Sequence, residues 1–153
     1  MTPSEIVKDL VDHFSKSNFE AALALYADDA TISIEFGVPA PFQISKVEME
    51  KLIRSAVEAR GGKPSPMYRD LSVQDLAVLE TKDPAIVVGQ WTYLSKVEGV
   101  TYENRNIIVV EVRDGKIVHS RDYHNHIARA FADGTVDHLL GAIQKMQTSQ
   151  ATA

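Results

Sequence analysis

Apolar residues near the start of the chain recur every three or four positions: Ile6, Val7, Leu10, Val11 and Phe14. That spacing predicts an amphipathic helix over residues 4–16, with Ser4 placed to cap it. Asn18 is placed to cap a second, shorter helix whose inner face carries Phe19, Ala22, Leu23 and Tyr26. The period then falls to two, with Ile32, Ile34 and Phe36 on one face, which predicts a strand. Gly37, Pro39 and Pro41 interrupt the chain. Ser45 and Glu48 have capping-box spacing and open a third helix running to residue 60. Its apolar positions are Val47, Leu52, Ile53, Ala56 and Val57, and Gly61-Gly62 ends it.

The remainder reads mainly as strands, over residues 68–79, 85–96, 101–113 and 116–128. Asp114-Gly115 joins the last two and is a strong signal for a two-residue hairpin. A last helix is predicted over residues 136–146, with Leu139, Leu140 and Ile143 inward. Helices gathered first and hairpin-linked strands after them indicate an α+β fold. The expected architecture is N-terminal helices wrapped on a curved antiparallel sheet, enclosing a pocket for a small organic molecule.

A chain of 153 residues suits one domain, expected over residues 1–146 with a polar tail at 147–153. There is no cysteine, which excludes disulfides, a thiolate nucleophile and zinc–thiolate sites. The net charge of −5 and the lack of a Lys/Arg cluster argue against nucleic acid as a partner. No apolar run approaches the roughly 20 residues of a membrane helix, and residues 1–5 resemble no signal peptide. The expectation is a cytoplasmic protein without a membrane partner. No Gly-rich strand-to-helix turn is present, so no nucleotide fingerprint is found and no cofactor is expected.

Two stretches carry a family resemblance. Residues 19–31, Phe-Glu-Ala-Ala-Leu-Ala-Leu-Tyr-Ala-Asp-Asp-Ala-Thr, resemble the second helix and first strand of the nuclear-transport-factor-2-like superfamily, which includes ketosteroid isomerases and SnoaL-like polyketide cyclases. Tyr102-Glu103-Asn104, the run Glu111 to Ile117 and Arg121-Asp122-Tyr123-His124-Asn125 resemble the C-terminal half of the phenazine-biosynthesis A/B-type members. The resemblance implies a cone-shaped fold, a pocket between sheet and helices, and a homodimer. It also implies that Asp122 acts as acid/base, in the place of a last-strand glutamate, and that Tyr102 matches a pocket tyrosine able to polarise a carbonyl.

The chemistry behind the first assignment is general. A carboxylate in a largely apolar cavity loses hydration and exchanges protons nearer neutral pH. The structural alternative is an ion pair between Asp122 and a neighbouring arginine. Strict pairing about the Asp114-Gly115 turn sets Ile107 opposite Asp122 and leaves Asp122 and Tyr102 on opposite faces. Only a bulge would bring both to one pocket.

His124, Trp91, Gln90 and Glu35 are the candidate substrate-binding residues. Gln90 stands where the phenazine-type proteins carry an acid. Asp122, His124 and His126 alternate, but strand positions i and i+4 lie about 13 Å apart, so the three cannot meet one metal ion. No metal is expected.

Departures from the family are informative too. Leu10 and Ile34 occupy the places of the ketosteroid isomerase tyrosine and aspartate, and the third helix lacks the histidine of the phenazine-type proteins. The expected function is acid/base chemistry without a cofactor on a carbonyl-bearing metabolite: isomerisation, cyclisation, dehydration or condensation. The alternatives are a binding protein and a dimeric assembly module on the same fold. A polar, titrating pocket favours the enzyme, an apolar pocket with Asp122 salt-bridged the binding protein, and a pocket filled by side chains the assembly module.

Overall fold

A computed structural model describes residues 1–69 and 71–151. Helices α1 (Pro3–Ser15) and α2 (Phe19–Ala24) lead into strand β1 (Tyr26–Ile34). Strand β2 (Phe42–Ser45) and helix α3 (Lys46–Glu58) follow, then a 3₁₀ turn at Pro66–Tyr68. Four strands come next: β3 (Ser72–Glu80), β4 (Ile86–Val97), β5 (Val100–Arg113) and β6 (Lys116–His124). Helices α4 (His126–Asp133) and α5 (Val136–Ala151) complete the described chain.

The strands form one open six-stranded sheet in the order β2-β1-β6-β5-β4-β3. The α+β class is as expected, but the sheet is mixed. β1 runs parallel to β6 and every other neighbouring pair is antiparallel. Asp114 and Gly115 both take positive φ, 50° and 72°, which gives the two-residue hairpin the twist of its flanking strands.

Four features depart from the sequence reading. Thr2, not Ser4, caps α1, because Pro3 fits the first helical turn and Thr2 and Glu5 close a reciprocal capping box. The segment between the Gly37–Pro41 break and α3 contains β2, which pairs with β1 from Ile34↔Phe42 to Thr31↔Ser45. Strand β6 stops at His124, because the Asn125 side chain accepts from the Ala128 N–H and starts α4. The predicted tail from Gln147 continues α5 as far as Ala151.

The core lies between α1 and the concave side of the sheet. Ile6, Val7, Leu10 and Val11 are buried against Val87, Trp91, Ile108 and Val110. Gly89 allows this approach: a Cβ there would stand 2.6 Å from Val7 Cγ1 and 3.2 Å from Ile108 Cγ2. Helix α3 behaves differently. It is amphipathic and properly capped by Ser45 and Glu48, yet none of its residues is buried. Its apolar side faces a cavity.

Candidate functional site

The cavity has a volume of about 380 Å³ and lies between α1, α3, α4 and the concave sheet face. That volume falls within the usual range for small-molecule sites. Met49, Leu52, Ile53, Ala56 and Val57 of α3 form one wall. An aromatic chain forms another: the rings of Phe14, Phe19, Tyr68, Tyr93 and Trp91 follow one another at centroid distances of 5.9, 5.9, 6.4 and 5.6 Å. The polar lining is short, with Asp122 and His124 from the end of β6, His126 and Arg129 from the start of α4, and Arg60 and Ser65 from the segment after α3.

Asp122 reaches this cavity because of a bulge. Val112 pairs with Ile117, but Glu111 pairs with His119, so Val118 is an extra residue on β6. Beyond it, Asp122 faces Ile108 instead of Ile107 and turns inward. The bulge puts Asp122 on the same face as Tyr102, but the two are not brought together. Tyr102 lies six positions along β5 from Ile108, about 20 Å at the usual strand rise, and is not among the cavity-lining residues.

The side chain of Asp122 is 11% exposed, and its Oδ2 lies 3.4 Å from His124 Nε2. Its Oδ1 is buried and has no hydrogen-bond partner among the described residues. No arginine pairs with it among the described residues, so the ion pair of the structural alternative is not what holds it.

Asn106 orients the histidine. Its Nδ2 donates to the Asn104 carbonyl at 2.9 Å, leaving Oδ1 to accept at 3.0 Å from His124 Nδ1. The opposite amide orientation would set two acceptors against each other. His124 therefore carries its proton on Nδ1 when neutral. Nε2 and a carboxylate oxygen would then meet as two acceptors unless one further proton lies on one of them.

Tyr26 and His126 complete the electrostatics. Burial and the charge of Asp122 raise the Tyr26 phenol far above the ordinary tyrosine value, so it stays a protonated donor. Burial, then His124 and Arg129, lower the pKa of His126, whose ring lies 6.1 Å from that of His124. Among the described residues, the Nε2 of His126 and the Nε1 of Trp91 are also buried without hydrogen-bond partners, so three such atoms belong to residues that line this cavity.

Of the residues read from sequence, Asp122, His124 and Trp91 line the cavity. Gln90 does not. It is exposed on the convex face, because Trp91 and Tyr93 take the inward positions of β4. Glu35 does not either: it follows the last residue of β1, where its N–H donates to the Asp122 carbonyl at 3.0 Å. Tyr26 was missed as a site residue, because its spacing from Leu23 suggested the inner face of α2, whereas it begins β1. Among the described residues, no group of three His, Asp or Glu side chains could hold a metal ion. No helix of the described chain is long and apolar enough to cross a membrane.

Several solved structures share this architecture. An isomerase candidate from Bacillus subtilis is 20% identical, with a TM-score of 0.68 over 86% of this chain and 91% of that one. A phenazine biosynthesis-related protein from Pseudomonas aeruginosa is 18% identical, with a TM-score of 0.61 over 86% and 83%. IdmH, a polyketide cyclase candidate from Streptomyces antibioticus, is 18% identical, with a TM-score of 0.64 over 88% and 99%. At such identities the likeness establishes the fold. No curated protein sequence matches the chain. The SnoaL-like domain model matches residues 7–120, most of the chain, and the chain therefore belongs to the SnoaL-like domain family.

Proposed function

We propose that this protein is an enzyme that moves protons on a small carbonyl-bearing metabolite, as an isomerase, cyclase, dehydratase or condensation catalyst. One observation carries the reading: Asp122 lines an open, mainly apolar cavity, and among the described residues His124 is its only ion-pair partner and its Oδ1 lacks a donor. A carboxylate kept for structure is held by donors, whereas unsatisfied polar groups in folded proteins concentrate at working sites. The isomerase and cyclase candidates of the same fold agree with this reading.

In the proposed mechanism, Asp122 takes a proton from carbon beside the substrate carbonyl and His124 accepts or returns it through Nε2. Asn106 holds Nδ1–H in place, so the exchangeable proton is confined to the Nε2 side. Tyr26, a protonated phenol in the cavity wall, supplies the hydrogen bond to the developing oxyanion. This is the role first given to Tyr102. The apolar walls exclude water and strengthen each of these interactions.

The function includes association as a homodimer through the convex sheet face. Leu79 and Ile107 are 54% and 45% exposed there, an arrangement that favours burial against a second copy.

The reaction class is tested by solvent-deuterium exchange. The wild-type protein in D₂O, with a panel of enolisable cyclic and aryl ketones, is expected to accelerate loss of the α-proton NMR signal. No acceleration with any ketone would favour the non-catalytic binding reading.

A further inference from the structure

We infer that the cavity takes an organic carboxylate, with Arg60 at the end of α3 meeting its charge. This inference rests on the cavity being the ligand site proposed above.

Two guanidinium groups line the cavity, Arg60 and Arg129, and they differ in what already satisfies them. Arg129 is committed. Its Nε lies 3.6 Å from Oδ2 of Asp133, whose side chain is only 5% exposed. Asp133 is fixed in turn, because its Oδ1 accepts from Ser65 Oγ at 2.6 Å and the Met67 N–H at 3.3 Å. The charges of Arg129 and Asp133 balance.

Arg60 has no such balance. Its Nη1 donates to the Ala56 carbonyl at 2.9 Å, and no carboxylate pairs with it among the described residues. It is half-buried beside an apolar wall, where its own hydration is reduced. A guanidinium offers a planar fork of donors that matches a carboxylate.

The rest of the lining sets the direction of binding. A carboxylate placed against Asp122 would meet like charge, so the anionic end belongs with Arg60 and the reactive carbon with Asp122 and His124. The apolar α3 wall and the aromatic wall then cover the middle of the molecule. The substrate class is thus an amphiphilic keto acid, with an apolar body between a carbonyl and a carboxylate.

The test uses 4-phenylbutyrate and its neutral counterpart 4-phenylbutanamide as probes, measured by calorimetry. Trp91, the only tryptophan in the chain, lines the cavity and reports occupancy by its fluorescence. The wild-type protein is expected to bind the carboxylate about ten- to a hundredfold more tightly than the amide, the usual effect of a charge-assisted pair. In Arg60→Gln the preference should fall to roughly threefold or less, mainly through weaker carboxylate binding, and Arg60→Lys should retain part of it. Equal affinity for both probes in the wild type would overturn the inference and leave the proposed function standing. A full preference surviving in Arg60→Gln would overturn it too, moving the anion site to Arg129. If neither probe binds at millimolar concentration, the inference falls together with the cavity as a ligand site.

Discussion

The Nε2 of His124 stands 3.4 Å from the Oδ2 of Asp122 in the wall of the cavity. That is long for a hydrogen bond, and catalytic contacts of this kind tighten when a ligand arrives. The other ring nitrogen is committed to Asn106, which leaves Nε2 facing the carboxylate. Nitrogen-15 NMR of the ring should show the proton on Nδ1 in the wild type at neutral pH. In Asn106→Ala the two tautomers should mix, and α-proton exchange should slow by roughly tenfold, below the full contribution of a positioned acid/base. An unchanged tautomer in the variant would remove Asn106 from the account.

His126 gives a pH dependence with a definite sign. Burial, then His124 and Arg129, hold its pKa below the ordinary value of 6.5. As pH falls, the unfolded chain takes up the proton first, which draws the equilibrium toward unfolding. The stability this neutral histidine contributes is complete above the unfolded value and is lost as pH falls toward the folded one. Thermal melts at about pH 7.5 and about pH 5 should show a smaller acid loss for His126→Gln than for the wild type. An equal loss in both would contradict the assignment.

Gly89 is where α1 meets the sheet most closely. Gly89→Ala should cost about 1–3 kcal/mol by overpacking against Val7, read from urea denaturation. Adding Val7→Ala should give less than the sum of the two single losses, because the added methyl then has room. Strict additivity would show that the two side chains do not compete for that space.

The outer face should hold two copies together. Light scattering of the wild type at micromolar concentration should give a dimer, and Ile107→Lys with Leu79→Lys should give a folded monomer. A monomeric wild type would remove the homodimer from the proposal.

Much of the scaffold was legible in the sequence, because the helices and hairpins announce themselves locally. Ser45 and Glu48 mark a helix start, and Asp114-Gly115 marks a turn, by chemistry confined to a few residues. The parallel β1–β6 pairing is a long-range contact with no local mark. The bulge at Val118 was the larger gap. No glycine accompanies it, yet it turns Asp122 inward, and strict alternation had placed Asp122 and Tyr102 on opposite faces. Asp122, His124 and Trp91 were legible as cavity-lining residues by resemblance and residue type. Tyr26 and Arg60 were not: Tyr26 fitted a helical period, and Arg60 becomes notable only once α3 is seen to stand off the sheet over a cavity.

The account turns on Asp122 as the group that moves the proton. Asp122→Asn keeps the shape of the side chain but cannot exchange a proton with carbon, so it isolates that role. The measurement is the rate of α-proton loss in D₂O from a ketone that the wild type exchanges, with circular dichroism confirming that the variant is folded. The account predicts a rate about 10²–10⁴-fold lower in Asp122→Asn. An exchange rate equal to that of the wild type, in a folded variant, would contradict it.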